Sequence, residues 1–234
     1  MYTEIIEIKD LSTNTKKEGI IRELCIDDIE EMIKLQNDVV NYLENKEMFI
    51  TLSREEIEYI FDGNGYIFGL ILEGKIFAYV GVVYPKERED NLGLDLNLDQ
   101  EDLEYVVHLE TAVVHPKVRG NRMQFQLAKR VVEKVIELNQ MKYILNTVSP
   151  LNIASIMTTL DLGLVIKDLK EKYNGKLRYV SALKIHTEKI NFKTNMKVPI
   201  EDYKKQLELI KKGFVGISYY KCEEGIYLCY GVME

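Results

Sequence analysis

Between Glu104 and Asn139 the chain changes its hydrophobic period once, and that change restricts what it can build. Tyr105 to Val114 is rich in valine and leucine and has no glycine or proline, the composition of a buried strand. His115-Pro116 stops the strand, because proline has no N–H for a sheet ladder. Lys117 to Asn121 then places two cations and a glycine in five residues, which predicts a turn. From Arg122 onward Met123, Leu127, Val131 and Val135, flanked by Ala128, Val132 and Ile136, recur every three or four residues. That spacing predicts a helix. Strand, basic turn and helix together place the donor-rich N-terminus of a helix beside Lys117, Arg119 and Arg122, an arrangement suited to a phosphate.

Val114-His115-Pro116-Lys117-Val118-Arg119-Gly120, followed by a helix, resembles the acetyl-CoA pyrophosphate loop of the GNAT N-acetyltransferases. The family signature Q/R-x-x-G-x-G/A falls on Lys117, Val118, Arg119, Gly120, Asn121 and Arg122, with Lys117 for the usual donor and Arg122 where a small residue is usual. The resemblance continues in N-x-x-A/S-x-x-x-Y-x-x-x-G-F, whose places are taken by Asn152, Ser155, Thr159, Gly163 and Leu164. It implies an α+β fold: a central mixed, mostly antiparallel twisted sheet flanked by helices. It also implies acetyl-CoA as co-substrate, held by Lys117 to Arg122, by Asn152 and Ser155, and by the backbone of Val113 and Val114. Thr159 stands at the place of a tyrosine that protonates the leaving thiolate in the family, and a threonine hydroxyl is too weak an acid for that task.

The remaining elements follow from local signals. Tyr2 to Lys9 reads as a short strand and Gly19 to Leu24 as another. Asp27 or Asp28 can cap a helix carrying Ile29, Met32, Ile33, Val39, Val40 and Leu43. Ser53-Arg54-Glu55-Glu56 is a capping box. Tyr66 to Leu72 and Ile76 to Tyr84 flank Glu73-Gly74-Lys75 as a hairpin, and Leu164 to Tyr173 and Leu177 to Ile185 flank Asn174-Gly175, which predicts a type I′ turn. Lys142 to Val148 is a strand, and Ser149-Pro150 opens a helix that Gly163 closes. His186 to Val198 reads as a connector. Pro199 then starts a helix through Ile200, Tyr203, Leu207 and Ile210, followed by strands Phe214 to Tyr220 and Ile226 to Val232. This divides the chain into an acetyltransferase-like domain, 1–186, and a C-terminal helix–hairpin extension, 187–234, packed on the core or on a second subunit. No internal repeat or low-complexity segment is evident.

Composition narrows the partners. With 31 basic and 38 acidic residues, a net charge of −7 argues against nucleic acid or an anionic membrane surface as a broad partner. Cys25, Cys222 and Cys229 lack metal-ligand spacing, and the three histidines give no reason to posit a metal. No run of about 18 apolar residues is present and the N-terminus lacks a signal-peptide core, so a cytoplasmic protein is expected. A homodimer stands as one alternative for covering the tail.

For chemistry, His108 and Glu110 share a strand face by period-two alternation and form a candidate proton relay. Glu110 also falls at the place of a carboxylate that many GNAT enzymes use as a base. A half-solvated strand face, or a core histidine with a satisfied partner, is the structural alternative. The acidic stretch Lys86 to Asp102 either attracts a cationic acceptor or is simply solvated. Two functions follow: acetyl-CoA-dependent transfer to a primary amine of a small molecule or protein, or an acyl-CoA-binding sensor or scaffold module without turnover.

Overall fold

The structure is a computed structural model describing residues 3–43, 45, 49–186 and 191–233. Tyr2, residues 187–190 of the expected connector, and Glu234 lie outside the described residues. In chain order the elements begin with β1 (Thr3–Asp10), β2 (Thr15–Glu23), α1 (Ile29–Asn41), α2 (Arg54–Tyr59), β3 (Gly65–Leu72) and β4 (Lys75–Val83). Two short helices follow, α3 (Leu92–Asp95) and α4 (Gln100–Leu103), then β5 (Val106–Val114), α5 (Met123–Leu138), β6 (Tyr143–Val148) and α6 (Ile153–Asp161). The chain closes with β7 (Val165–Lys172), β8 (Lys176–Lys184), β9 (Phe192–Pro199), α7 (Tyr203–Lys211), β10 (Val215–Cys222) and β11 (Gly225–Met233). These elements form two compact units, Met1–Pro85 with His108–Asn139, and Lys86–Val107 with Gln140–Glu234. Each is α+β, a mostly antiparallel sheet with helices packed on it. Among the described residues no helix is long and apolar enough to cross a membrane.

In the first unit the strand order is β1-β2-β3-β4-β5, each neighbour antiparallel. One face of the sheet is covered by α1 and α2. Ile67, Tyr79, Val83 and Val113 meet Met32, Leu35, Val39 and Ile57 there in a single apolar cluster. The helix starts are made locally: Ser53 and Glu56 form the expected capping box, each side chain bonding the other's backbone N–H. α5 packs on β3 and β4 with Met123, Leu127, Ala128, Val131, Val132 and Val135 buried, as its spacing predicts. Tyr66 ties it down, donating its hydroxyl hydrogen bond to the Val131 carbonyl at 3.0 Å. Burying each such valine or leucine contributes about 1.5–3 kcal/mol, so this face holds the helix where the preceding turn needs it.

The second unit has the order β6-β8-β7-β10-β11-β9. Here the structure corrects two sequence expectations. β9 is a strand, not a connector, and it pairs antiparallel with β11 from Tyr227↔Pro199 to Met233↔Phe192. The helix expected from Pro199 begins only at Tyr203, capped by Asp202, which accepts from the Lys205 N–H. The hairpin turns also differ. The two-residue turn with positive φ at both places is Glu73-Gly74, whereas β7 and β8 are joined by three positive-φ residues, Tyr173, Asn174 and Gly175.

The second unit contains an internal repeat that the sequence reading does not find. β6, α6, β7 and β8 are followed by β9, α7, β10 and β11, and α6 and α7 begin and end fifty residues apart, as do β7 and β10. Asn152 and Asp202 cap the two helices by the same bond, to the N–H three residues on. Gly163 (φ 88°) and Gly213 (φ 85°) close them in the left-handed region, where only glycine is unstrained. The amides after these glycines bond back alike, Leu164 to the Thr159 carbonyl and Phe214 to the Leu209 carbonyl. Even the sheet irregularity repeats, between Ile166 and Asp168 in β7 and between Gly216 and Ser218 in β10. The copies meet at β7 and β10, antiparallel, where Ile166 faces its own counterpart Gly216. One apolar cluster spans them, joining Val148, Leu160, Ile166 and Tyr179 to Val198, Leu209, Leu228 and Tyr230.

Candidate functional site

β5 carries the candidate catalytic pair. His108 is buried, and its Nδ1 lies 3.5 Å from Oε1 of the partly exposed Glu110. Glu110 lies at an irregularity in the ladder, while His108 keeps its register opposite Val83. Val80 pairs with Ala112 and Val82 with Leu109, so Gly81 alone faces both Glu110 and Thr111. Such a bulge breaks the pairing and re-aims side chains. A Cβ on residue 81 would come within 2.8 Å of Ile67, which is one reason glycine stands there. Val113 and Val114 sit beyond the bulge in regular register with Tyr79 and Ala78. The interrupted part of the strand therefore lies at Glu110–Thr111, just before Val113 and Val114.

After β5, His115 caps a single 3₁₀ turn, Pro116–Val118. Its Nδ1 accepts from the Lys117 N–H at 3.1 Å. Its ring packs edge-on to Tyr42 and Phe77, at 5.8 and 5.3 Å between centroids. Burial, and next the charge of Lys117, push the His115 pKa below the usual histidine value. Val118 is buried and anchors the turn, while Lys117, Arg119, Gly120 and Arg122 are exposed. Gly120 takes φ 78°, and no heavy atom lies within 4 Å of where its Cβ would be, so the turn presents open space to solvent. Arg122 is also left-handed (φ 54°), and its guanidinium stacks on the Phe125 ring at 4.5 Å. Asn121 holds the turn to β1: its Nδ2 donates to the Lys9 carbonyl at 2.8 Å and its Oδ1 accepts from the Lys9 N–H at 2.9 Å. What remains outward is the first turn of α5, whose N–H groups have no carbonyl within the helix to bond, flanked by cations. A helix N-terminus so flanked is suited in charge and donors to an anion.

Thus His108, Glu110, Val113, Val114 and Lys117 to Arg122 all lie on one strand–turn–helix of the first unit. Asn152 and Ser155 belong to the second unit, at the start of α6. The Asn152 carbonyl oxygen of the side chain accepts from the Ser155 N–H at 3.1 Å, which makes Asn152 the helix cap. Thr159, further along α6, is buried and accepts from Asn146 Nδ2 at 2.8 Å. In the acidic stretch Asp90, Asp95 and Asp102 are paired within their own unit. Asp95 bonds Lys170 and Lys172, Asp102 bonds Lys142 at 2.7 Å and Tyr143 at 2.9 Å, and Asp90 bonds Arg88. α3 and α4 form in this stretch. Sequence reasoning missed Gly81, whose only signal is a glycine inside an apolar strand, and Asn146, a polar residue inside the run Tyr143–Val148.

No family model matches the chain, and no curated protein matches it. Solved structures do. The chain is similar to a GNAT-family acetyltransferase from Streptococcus pneumoniae, with 20% identity over 71% of this chain and 99% of that one and a TM-score of 0.55. It is similar to NAA60 of Arabidopsis thaliana in complex with acetyl-CoA, with 13% identity over 72% of this chain and 99% of that one and a TM-score of 0.58. It is also similar to a ribosomal-protein-S5-alanine acetyltransferase from Vibrio fischeri, with 13% identity, 73% and 95% covered, and a TM-score of 0.54. At these identities the likeness establishes the fold.

Proposed function

We propose that this chain, having the fold of the GNAT acetyltransferases, is an acetyl-CoA-dependent N-acetyltransferase acting on a primary amine of a small molecule or protein by direct transfer. The observation that carries the reading is the turn at Lys117–Arg122. Its exposed positive-φ glycine, open space and three surrounding cations fit the pyrophosphate of CoA at the N-terminus of α5. Asn152 would face the pantetheine or the pyrophosphate of the cofactor, with Ser155 as a further candidate contact.

In the reaction the amine nitrogen attacks the thioester carbonyl carbon, the C–S bond breaks, and one proton leaves the nitrogen while one reaches the thiolate. Glu110 takes the amine proton, directly or through water, with His108 at 3.5 Å as its relay. Backbone N–H groups at the interrupted part of β5 are the donors for the oxyanion. Thr159 does not supply the thiol proton, because its hydroxyl is a weak acid engaged with Asn146. The neighbour that acts on a ribosomal-protein alanine makes an N-terminal alanine peptide a sensible member of the acceptor panel.

The reading is tested by Gly120→Val. A β-branched residue at φ 78° strains the turn without a steric clash elsewhere, so CoA affinity measured by calorimetry should fall by about tenfold or more with the circular-dichroism spectrum unchanged. Undiminished affinity in that variant overturns the placement. The second reading, an acyl-CoA-binding sensor or scaffold, is favoured by Thr159 in place of a proton donor. CoA binding without free-thiol release against any amine of the panel would establish it over catalysis.

A further inference from the structure

The internal repeat supplies a control for what the βαββ backbone requires. Asn146 on β6, Thr159 on α6 and Ser181 on β8 correspond in the second copy to Met196, Leu209 and Tyr230. In that copy the three residues belong to the apolar cluster with Val198 and Leu228. In the first copy the same places hold a buried polar cluster, with exposures of 6% at Asn146, 3% at Thr159 and 0% at Ser181. Asn146 and Ser181 face each other directly across the β6–β8 ladder, so their side chains share the face that α6 covers. Asn146 Nδ2 bonds Thr159 Oγ1, but Asn146 Oδ1 and Ser181 Oγ are buried and have no partner among the described residues. Turning the Asn146 amide over leaves one of its ends without a partner all the same.

Burying polar groups unsatisfied costs stability, and the second copy demonstrates that the same backbone accepts an apolar solution. The polar set is therefore not a demand of the fold. We propose that Asn146, Thr159 and Ser181 form a binding site for one ordered water molecule that serves acyl transfer. The water accepts from the Ser181 hydroxyl and donates to Asn146 Oδ1, satisfying both. A neutral molecule that both donates and accepts is what the cluster selects, since none of its three members is charged. Asn152, Ser155 and Thr159 stand at positions i, i+3 and i+7 of α6, one helix face. The site is thus the inner end of the row whose outer end holds the candidate cofactor residues, and its role in transfer rests on the acetyltransferase reading. Its three side chains are positioning residues: through the water they hold the α6 face in the geometry the bound thioester needs.

The test replaces the cluster with residues of the second copy's character, Asn146→Leu, Thr159→Leu and Ser181→Ala together, in the full chain. The variant should melt no lower than the wild type and keep CoA affinity within about threefold, while kcat falls by about tenfold or more without a matching rise in KM. Wild-type kcat in this variant overturns the proposal. A high-resolution crystal structure of the wild-type chain should show water within hydrogen-bond distance of both Asn146 Oδ1 and Ser181 Oγ, and an empty or directly bonded pair overturns it as well. If the triple variant fails to fold, Ser181→Ala alone, which leaves the Asn146–Thr159 bond, is measured in its place against the same kcat criterion. A wild-type chain that releases no thiol refutes the acetyltransferase reading and the water's part in transfer, whereas the crystal density decides the water site separately.

Discussion

Three side chains show what a single residue decides in this chain. Glu110 sits where the ladder opens opposite Gly81, with its partly exposed carboxylate beside buried His108. As the base, its loss in Glu110→Gln should lower kcat/KM by about 10²- to 10⁴-fold at neutral pH and by less at high pH, where the amine is already deprotonated. A pH–rate profile identical to the wild type removes Glu110 from the mechanism. Burial, and next the charge of Lys117, lower the His115 pKa, and its Nδ1 serves as the acceptor that shapes the turn. Its folded pKa lies below the unfolded value of about 6.5. The unfolded chain therefore binds more protons as pH falls through and below that value, and stability drops on the acid side. His115→Asn keeps an acceptor but does not titrate, so its melting temperature should fall less between about pH 7 and 5; parallel curves for the two proteins refute the assignment. Tyr79 is fully buried with a hydroxyl that has no partner among the described residues. Tyr79→Phe should accordingly be neutral or stabilising by about 1 kcal/mol in denaturant unfolding, and a loss of that size would reveal a bond to the hydroxyl.

At the scale of elements, legibility followed the strength of local signals. β5, the basic turn and α5 were readable because a buried run, a proline–glycine punctuation and a 3.6 period succeed one another without ambiguity, and the same holds for the Ser53 cap. β9 was not, since Phe192–Pro199 offers only Met196 and Val198 at alternating positions near its end, among lysines and other polar residues. The repeat was hidden for a different reason. What the copies share is backbone conformation, with Gly163 and Gly213 or Val165 and Val215 among the few identities, while α6 and α7 present different side chains on the same path. The paired caps make a prediction at this scale. Asn152→Ala and Asp202→Ala should each cost about 0.5–2 kcal/mol by chemical denaturation, but only Asn152→Ala should weaken CoA binding. Equal effects on CoA affinity would mean that Asn152 is no more than a helix cap. The water cluster could not be read at all, because an asparagine, a threonine and a serine far apart in sequence signal nothing until two strands and a helix bring them together.

For the whole molecule, the antiparallel meeting of β7 with β10 settles how one sheet edge is managed. An uncovered β7 would present unpaired N–H and C=O groups to any other chain, the usual route to edge-to-edge association. Here the strand beside it comes from the same polypeptide, and the sheet of that unit instead ends on β9, which carries Lys193, Lys197 and Pro199, residues that discourage further pairing. Edge management of this kind predicts sedimentation at the chain's own 27.3 kDa across a wide range of protein concentration, and a larger mass would favour the homodimer alternative. Cysteines introduced at Ile166 and Gly216 should likewise cross-link within one chain; a covalent dimer on a non-reducing gel would contradict this. Seen as an equilibrium, the contact between the two copies is a dimer interface with the second-order step removed. Dilution, which separates subunits, has no hold on it, because the local concentration of one copy around the other is set by the tether and not by how much protein is in the cell.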